Sequence, residues 1–355
     1  MLKEKMKGNI KVEYKAGLVG CGRIGSEFDD DPKRKYVATH AGAYSAVPGI
    51  ELVAVADTNR EKLYKCGKKW NVRSLYQDYE EMLEKEDLDI LSICTWNSTH
   101  FEITKSAVKH GVKAIFCEKP IADTLNNAYK MVELCNKHDV ILQIDHQRRF
   151  CDFHQEIRNF LGRGELGKIQ HVSFYYTAGI ANTGSHMFDL LRFFFGDVSW
   201  IIAFPGENKS LNEEDPNFDG LIKFKTNVFC SIHACDVEKF QIFELDSIGD
   251  KGRLRITHSG FDLDFYEIRD SNLFSGYKEL YRCEPPFTKD VPRDFMINGV
   301  NHLVECLEND KQSISSGEDG LSALELICAF HESAKEDGKK IYVPRKESNV
   351  QIKLR

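Results

Sequence analysis

Six residues near the start of the chain, Gly20-Cys21-Gly22-Arg23-Ile24-Gly25, follow directly on the short apolar run Ala16–Val19 and lead toward a helical stretch. In that frame each glycine has a steric role: the first permits a tight turn, the second lets a pyrophosphate approach the backbone, and the third lets helix and strand pack closely. The amides that open the following helix then face the phosphates. Glycine-rich turns are common, so the loop needs support from the rest of the chain.

From Ala16 onward, short runs rich in β-branched residues (16–20, 51–57, 88–95, 113–119 and 140–145) alternate with stretches of helical period (59–70, 78–85, 100–111 and 125–138). Continuous apolar strands alternating with amphipathic helices predict a doubly wound parallel sheet, covered on both faces, up to about Asp145. Asp57 closes the second of these strands, where a carboxylate can accept hydrogen bonds from the ribose hydroxyls of NAD and would repel the 2′-phosphate of NADP. The spacing from the glycine loop is longer than the usual ~20 residues. An insertion over Ser26–Tyr44 accounts for the difference. Arg60, just beyond Asp57, keeps NADP open as the alternative cofactor.

After Asp145 the texture changes to longer period-two segments (168–177, 220–235, 240–257 and 261–270) joined by turn-rich connections such as 247–253. These predict an α+β domain with a large, mostly antiparallel sheet. Helices are expected at Phe153–Leu161, His186–Phe195, Asp294–Asn309 and Gly320–Lys335. The division is therefore a Rossmann domain over 1–145 and a substrate-binding and oligomerisation domain over 146–355, as the 355-residue length also suggests.

A formal charge of -7 disfavours a nucleic-acid partner, and no apolar run approaches the ~20 residues that span a bilayer. The first fifteen residues lack the pattern of a secretory signal, so a cytoplasmic location is expected. Eleven scattered cysteines without a CxxC pair read as buried free thiols, and no ligand spacing for a metal is evident. A small-molecule ligand is the remaining reading.

Glu118-Lys119-Pro120 ends the strand beginning at Lys113, at the carboxyl edge where open α/β sheets bind ligands. An exposed lysine beside a helix-starting proline would be the bland reading of these three residues taken alone. In order along the chain, however, GCGRIG (20–25), VAD (55–57), TWNSTH (95–100) and EKPIA (118–122) closely resemble the glucose–fructose oxidoreductase / inositol dehydrogenase / MocA family (Gfo/Idh/MocA). The resemblance continues through 164–172, 181–197 and 316–343.

The resemblance implies a nicotinamide-dependent oxidoreductase acting on a hydroxyl or keto group of a sugar, sugar nucleotide, cyclitol or other polyol. It places Lys119 as the lysine that orients substrate and assists proton transfer, and His186 as the general base on the active-site helix. It also places Glu118, Pro120, Thr95, Trp96, Asn97 and His100 around the nicotinamide, with Trp96 or Ser98 where the family has proline. A histidine that merely caps its helix is the alternative for His186. The family often carries aspartate four residues before that histidine; here the residue is Asn182, which can hydrogen-bond but cannot ionise. Asp189 either supplies the missing charge or pairs with an arginine such as Arg192.

Arg148 and Arg149 are candidates for binding a substrate anion or for an interdomain ion pair, and Tyr175, Tyr176 and Asn182 for completing a polyol pocket, with sheet packing the more common use of a tyrosine pair on a strand. The expected reaction sends hydride from substrate to NAD while Lys119 and His186 handle the proton. Two other readings stay open: a lyase or hydrolase that oxidises its substrate only transiently, and a nicotinamide-binding sensor without catalysis. The edge-rich second sheet leads us to expect a homodimer or homotetramer.

Overall fold

The computed structural model describes residues 13–287 and 293–354. Two compact units divide them. The first comprises the chain up to Ala122, Asn127–Phe150 and Arg293–Glu318; the second comprises Asp123–Asn126, the chain from Cys151 to 287, and Asp319 onward.

Among the described residues of the first unit, six parallel strands stand in the order β3-β2-β1-β4-β5-β6. They are β1 (Tyr14–Val19), β2 (Ile50–Ala56), β3 (Ser74–Tyr76), β4 (Ile90–Ile93), β5 (Ala114–Cys117) and β6 (Ile141–Ile144). Every residue of β4 and β5 is buried, as the unbroken apolar runs require of strands covered on both faces. The three-residue edge strand β3 is too short to have left a periodic signal.

The helices are α1 (His40–Ala46), α2 (Arg60–Trp70), α3 (Tyr79–Lys85), α4 (His100–Lys109) and α5 (Leu125–Lys137), the last shared at its start with the second unit. Asn59 caps α2 by accepting from the Lys62 amide, and Asn71 ends it in the left-handed region.

The insertion after the glycine loop has a definite shape. Gly22 begins a helical turn, with the Ser26 amide donating to its carbonyl (2.9 Å), and the chain then loops out. The helix resumes at α1, where the His40 and Ala41 amides donate to the Ile24 and Gly25 carbonyls (both 3.1 Å). Tyr44, counted with the insertion from sequence, therefore belongs to the resumed helix.

A single cut at 145/146 also needs correction. Helix α8 (Phe295–Asn309), far along the chain, packs into the first unit. Gly299 lies where a Cβ would meet the Phe116 and Phe150 rings at 3.2 and 3.3 Å, and the buried Gln143 amide donates to the Gly299 carbonyl (2.9 Å). No local pattern in α8 announces a partner some 150 residues upstream.

The second unit holds a nine-stranded sheet in the order β14-β13-β12-β11-β7-β10-β9-β8-β15. Its strands are β7 (Ile169–Tyr176), β8 (Val198–Pro205), β9 (Phe218–Phe224), β10 (Phe229–Ala234), β11 (Phe243–Gly249), β12 (Gly252–Thr257), β13 (Asp262–Asp270), β14 (Lys278–Cys283) and β15 (Ile341–Tyr342). Every pairing is antiparallel except β7 with β10. Burial alternates along β9 and β11, so one face is packed.

That packed face meets helices: α7 (Gly184–Phe195) and α9 (Gly317–Lys335) touch through Phe188 and Phe330 (4.8 Å between ring centroids), and Phe330 lies over Gly220 of β9, 2.9 Å from the position of a Cβ. The helix α6 (Asp152–Gly162) completes the unit. Opposite, Tyr175, Leu221 and Phe229 remain exposed.

Candidate functional site

The glycine loop has the shape a dinucleotide needs. Gly20 has φ +98°, and a Cβ there would lie 2.6 Å from the Cys94 carbonyl oxygen; one on Gly25 would lie 2.0 Å from the Gly20 carbonyl oxygen. On Gly22 a Cβ would meet only the tip of Lys62, at 3.7 Å, so this face of the turn is open for a pyrophosphate. The Arg23 guanidinium turns aside over the Phe28 ring (4.8 Å).

Asp57 accepts from the Cys21 amide and from the Asn59 amide, both at 2.7 Å. Its carboxylate is thereby fixed against the loop, with lone pairs left for ribose hydroxyls. Arg60 is exposed and packs on Tyr64, its guanidinium carbon 5.5 Å from the ring centroid. The residues of the loop and Asp57 thus fit NAD.

The segment after β4 is only partly as expected. The Thr95 and Thr99 hydroxyls bond each other (2.7 Å), and Trp96 is 59% exposed. Asn97 is buried and donates to the Ala122 carbonyl (3.4 Å). His100 is fully buried, with Nδ1 at the Ile121 carbonyl and Nε2 at the Thr95 carbonyl, each 3.1 Å away. Burial holds its pKa below the usual imidazole value. His100 therefore ties the 95–100 loop to the 118–122 segment and does not offer a ring nitrogen to a ligand.

Lys119, half-buried, follows β5 at its carboxyl end, and the Lys119–Pro120 bond is cis. Its backbone amide donates to Glu118 Oε2 (3.2 Å). Behind it lies a cluster that sequence reasoning did not find. His40 Nε2 is 3.3 Å from Glu118 Oε1 and 4.0 Å from Asp145 Oδ2, while His40 Nδ1 is 2.8 Å from Ser92 Oγ, itself 2.7 Å from the Tyr44 hydroxyl.

His40 Nε2 faces the carboxyls as a donor, and on its other side the ring is hydrogen-bonded through the Ser92 hydroxyl to that of Tyr44. Burial raises the Glu118 carboxyl, but the hydrogen bond from His40 and the neighbouring charges of His40 and Lys119 outweigh it and hold Glu118 below its ordinary range. Burial, then the Glu118 charge and hydrogen bond, push Asp145 well above the carboxylate range. His40 was hidden inside the insertion. Asp145 stands at the carboxyl end of β6, the one positional signal that pointed to it.

Arg148 and Arg149 are buried in the turn Gln147–Phe150 of the first unit, and Arg149 Nη1 donates to the Ile314 carbonyl (2.7 Å). For Arg149 a main-chain role is thus established, which neither sequence reading had given it.

In the second unit, His186 lies half-buried in the first turn of α7. The turn before it hangs on Asp215, which the sequence had not singled out: its carboxylate, 3% exposed, accepts from the Ala181 amide (2.7 Å) and the Asn182 amide (2.8 Å). The Asn182 side chain donates to the Ala178 carbonyl (3.3 Å). Arg192 pairs with Asp319 and Asp197, both at 3.2 Å.

Tyr176 corrects the sequence expectation. It is fully buried, its hydroxyl donating to the Phe218 carbonyl (2.9 Å) and accepting from the Phe218 amide (2.8 Å), so it is a core residue rather than a polyol contact. Alternation along β7 turns Tyr176 inward and leaves Tyr175 outside, stacked on His233 at 5.1 Å.

A parallel six-stranded sheet with an open-faced glycine turn and an acidic residue closing its second strand defines an NAD-binding Rossmann oxidoreductase. Profiles described as "Oxidoreductase family, NAD-binding Rossmann fold" and "Oxidoreductase family, C-terminal alpha/beta domain" match residues 14–146 and 179–343, and the chain belongs to this Gfo/Idh/MocA family. It is 27% identical to a D-apiose dehydrogenase of Paraburkholderia graminis over 91% of this chain and 88% of that protein.

It is also 24% identical to the myo-inositol 2-dehydrogenase of Thermotoga maritima, over 90% of this chain and 96% of the relative. Among solved structures, the WlbA dehydrogenase of Bordetella pertussis in complex with NADH and UDP-GlcNAcA superposes with a TM-score of 0.75 at 22% identity, covering 94% of this chain and 99% of that one. That likeness establishes a shared fold. No helix among the described residues is long and apolar enough to cross a membrane.

Proposed function

We propose that this chain is an NAD-dependent dehydrogenase that interconverts a hydroxyl and a carbonyl on a sugar, sugar nucleotide or cyclitol, with Lys119 and His186 as its proton-handling groups. The observation that carries the reading is Lys119 at the carboxyl end of β5, in the same unit as the open glycine turn and next to a buried carboxyl pair. NAD, when bound, supplies the hydride acceptor or donor. Gly20, Gly22, Gly25 and Asp57 hold it, Lys119 polarises the reacting oxygen, and His186 takes or returns the proton. The relatives named as apiose and inositol dehydrogenases support the polyol class of substrate.

Absorbance of NADH during a screen of pentoses, inositols and nucleotide sugars tests the reading. Lys119→Met and His186→Ala are each expected to lower turnover at least ~100-fold while NADH still binds. Turnover retained by both variants refutes the assignment.

Self-association through the second unit's sheet is part of the proposal, because Leu221, Phe229, Phe204 and Tyr342 are exposed on its strands. Light scattering is expected to give a dimer or tetramer, and a monomer at all concentrations counts against it. All eleven cysteines are free and none is exposed, which supports a reducing, cytoplasmic compartment.

A further inference from the structure

The main chain just past Lys119 is held at three successive carbonyls. His100 Nδ1 lies 3.1 Å from the Ile121 carbonyl and Asn97 Nδ2 donates to that of Ala122 (3.4 Å), both within the first unit. The Asp123 carbonyl accepts from the Ile352 amide (2.8 Å), and the Asp123 carboxylate accepts through Oδ2 from the Gln351 side chain (3.1 Å), both within the second unit. The chain passes from one unit to the other between Ala122 and Asp123, so these last two contacts fasten it at the crossing. Pro120, Ile121, Ala122 and Asp123 are all buried. Proline fixes one dihedral and packed neighbours leave the rest little room, so a displacement at Asp123 is passed back to Lys119 rather than absorbed.

The partner of Asp123 is a segment that follows β15. Residues 344–354 lie beyond the match to the family's C-terminal domain. Their course is set first by α9: Glu325 accepts from the Arg345 amide, and Glu332 accepts from the Arg345 guanidinium and from the Ser348 hydroxyl (2.6 Å). The two glutamates stand about two turns apart on one face of the helix, so the segment is laid along it. Ile352, 4% exposed, is the one buried residue between 344 and 354. An otherwise exposed segment thus places its single apolar anchor where its main chain meets Asp123.

We propose that Gln351 and Ile352 are positioning residues for Lys119: by holding Asp123 they fix the far end of the 119–123 stretch, as His100 and Asn97 fix its middle, and so keep the lysine's main chain in place. The inference rests on the reading of Lys119 as the proton-handling lysine. Such support matters to rate, because a misplacement of about 1 Å at a reacting group can cost ~10²-fold. Asp123 and Ile352 make further interactions as well, so the variants are chosen to remove these two contacts.

The full-length double variant Q351A/I352P takes away the side-chain donor and the amide donor together. Hydrogen exchange followed by mass spectrometry reads the result without substrate. Exchange across 119–124 is expected to rise at least ~10-fold, the effect of losing two hydrogen bonds from a locally opening stretch, while exchange across the glycine loop 20–25 stays as in the wild type. With the polyol that the NADH screen identifies, kcat is expected to fall at least ~10-fold and the NADH dissociation constant to change less than ~2-fold. Ile232→Ala, a core truncation in β10 of the same unit, controls for lost stability: it is expected to lower Tm and to move neither 119–124 exchange nor kcat.

A folded double variant with wild-type exchange in 119–124, or with wild-type kcat, overturns the proposal, as does Ile232→Ala reproducing both changes. Should the double variant fail to fold, Q351A alone decides: a rise in 119–124 exchange of at least ~3-fold upholds the proposal and a smaller one overturns it. If Lys119→Met retains full turnover, the functional reading fails, while exchange in 119–124 still reports whether the segment holds Asp123.

Discussion

Replacing Asp215 with alanine should loosen the turn that leads into α7, although residue 215 is more than thirty positions from it in sequence. The carboxylate accepts from the amides of Ala181 and Asn182 at 2.7 and 2.8 Å, and it sits 3% exposed. Gly179 makes room for it: φ there is +94°, and a Cβ would come 2.1 Å from Asp215 Oδ2. Removing the carboxylate strands two buried N–H groups, each costing ~1–3 kcal/mol if left unsatisfied, so the variant should lose about 3–5 kcal/mol. Asp215→Asn would keep one acceptor and turn an amide donor toward the second N–H, recovering about half.

Urea unfolding followed by tryptophan fluorescence measures the loss, with the same m-value confirming that only stability changed. Below the unfolding midpoint, substrate KM should also rise, because Asn182 and His186 follow from this turn. A loss under ~0.5 kcal/mol for D215A, with the alanine and asparagine variants equivalent, would rule out this role for the carboxylate.

Acid should destabilise the second unit through His331, which packs edge-on to Phe218 (4.9 Å) and whose pKa burial lowers to about 4. The unfolded chain takes up its proton near pH 6.5 and the folded chain only near 4, so stability falls as pH drops through that window, by about 3 kcal/mol for this residue. His331→Leu should flatten the difference in Tm between pH 7 and pH 4.5; an unchanged difference counts against the assignment. Asp57→Ala removes the acceptor for the Cys21 amide and the charge that disfavours a 2′-phosphate. Fluorescence titration should show NADH binding weakened at least ~10-fold and its preference over NADPH narrowed, and an unaltered ratio would sink that role.

Much of the first unit could be read from the chain because its signals are local. Strands β1, β2, β4, β5 and β6 lie in a sheet covered on both faces, so their apolar runs are continuous, and the glycines of the loop answer to steric demands within a few residues of themselves. Period-two alternation likewise announced the second sheet. Period alone left two facts about it undetermined. It could not tell which of Tyr175 and Tyr176 faces inward, because register decides that, and it could not show that β7 pairs parallel with β10 in an otherwise antiparallel sheet.

The order of amino acids was enough to specify the dinucleotide turn, the acidic residue closing β2, the lysine ending β5 and the succession of elements, since each depends on backbone conformation and burial over a few neighbouring positions. Their surroundings came only with the folded chain. Folding returned α8 to the first unit, made His100 a link between two loops, hung the α7 turn on Asp215, and brought His40, Glu118 and Asp145 together from three separate elements. The physical reason is common to all four: buried groups take their partners wherever the fold supplies them, and closeness in space leaves no period or spacing in the chain.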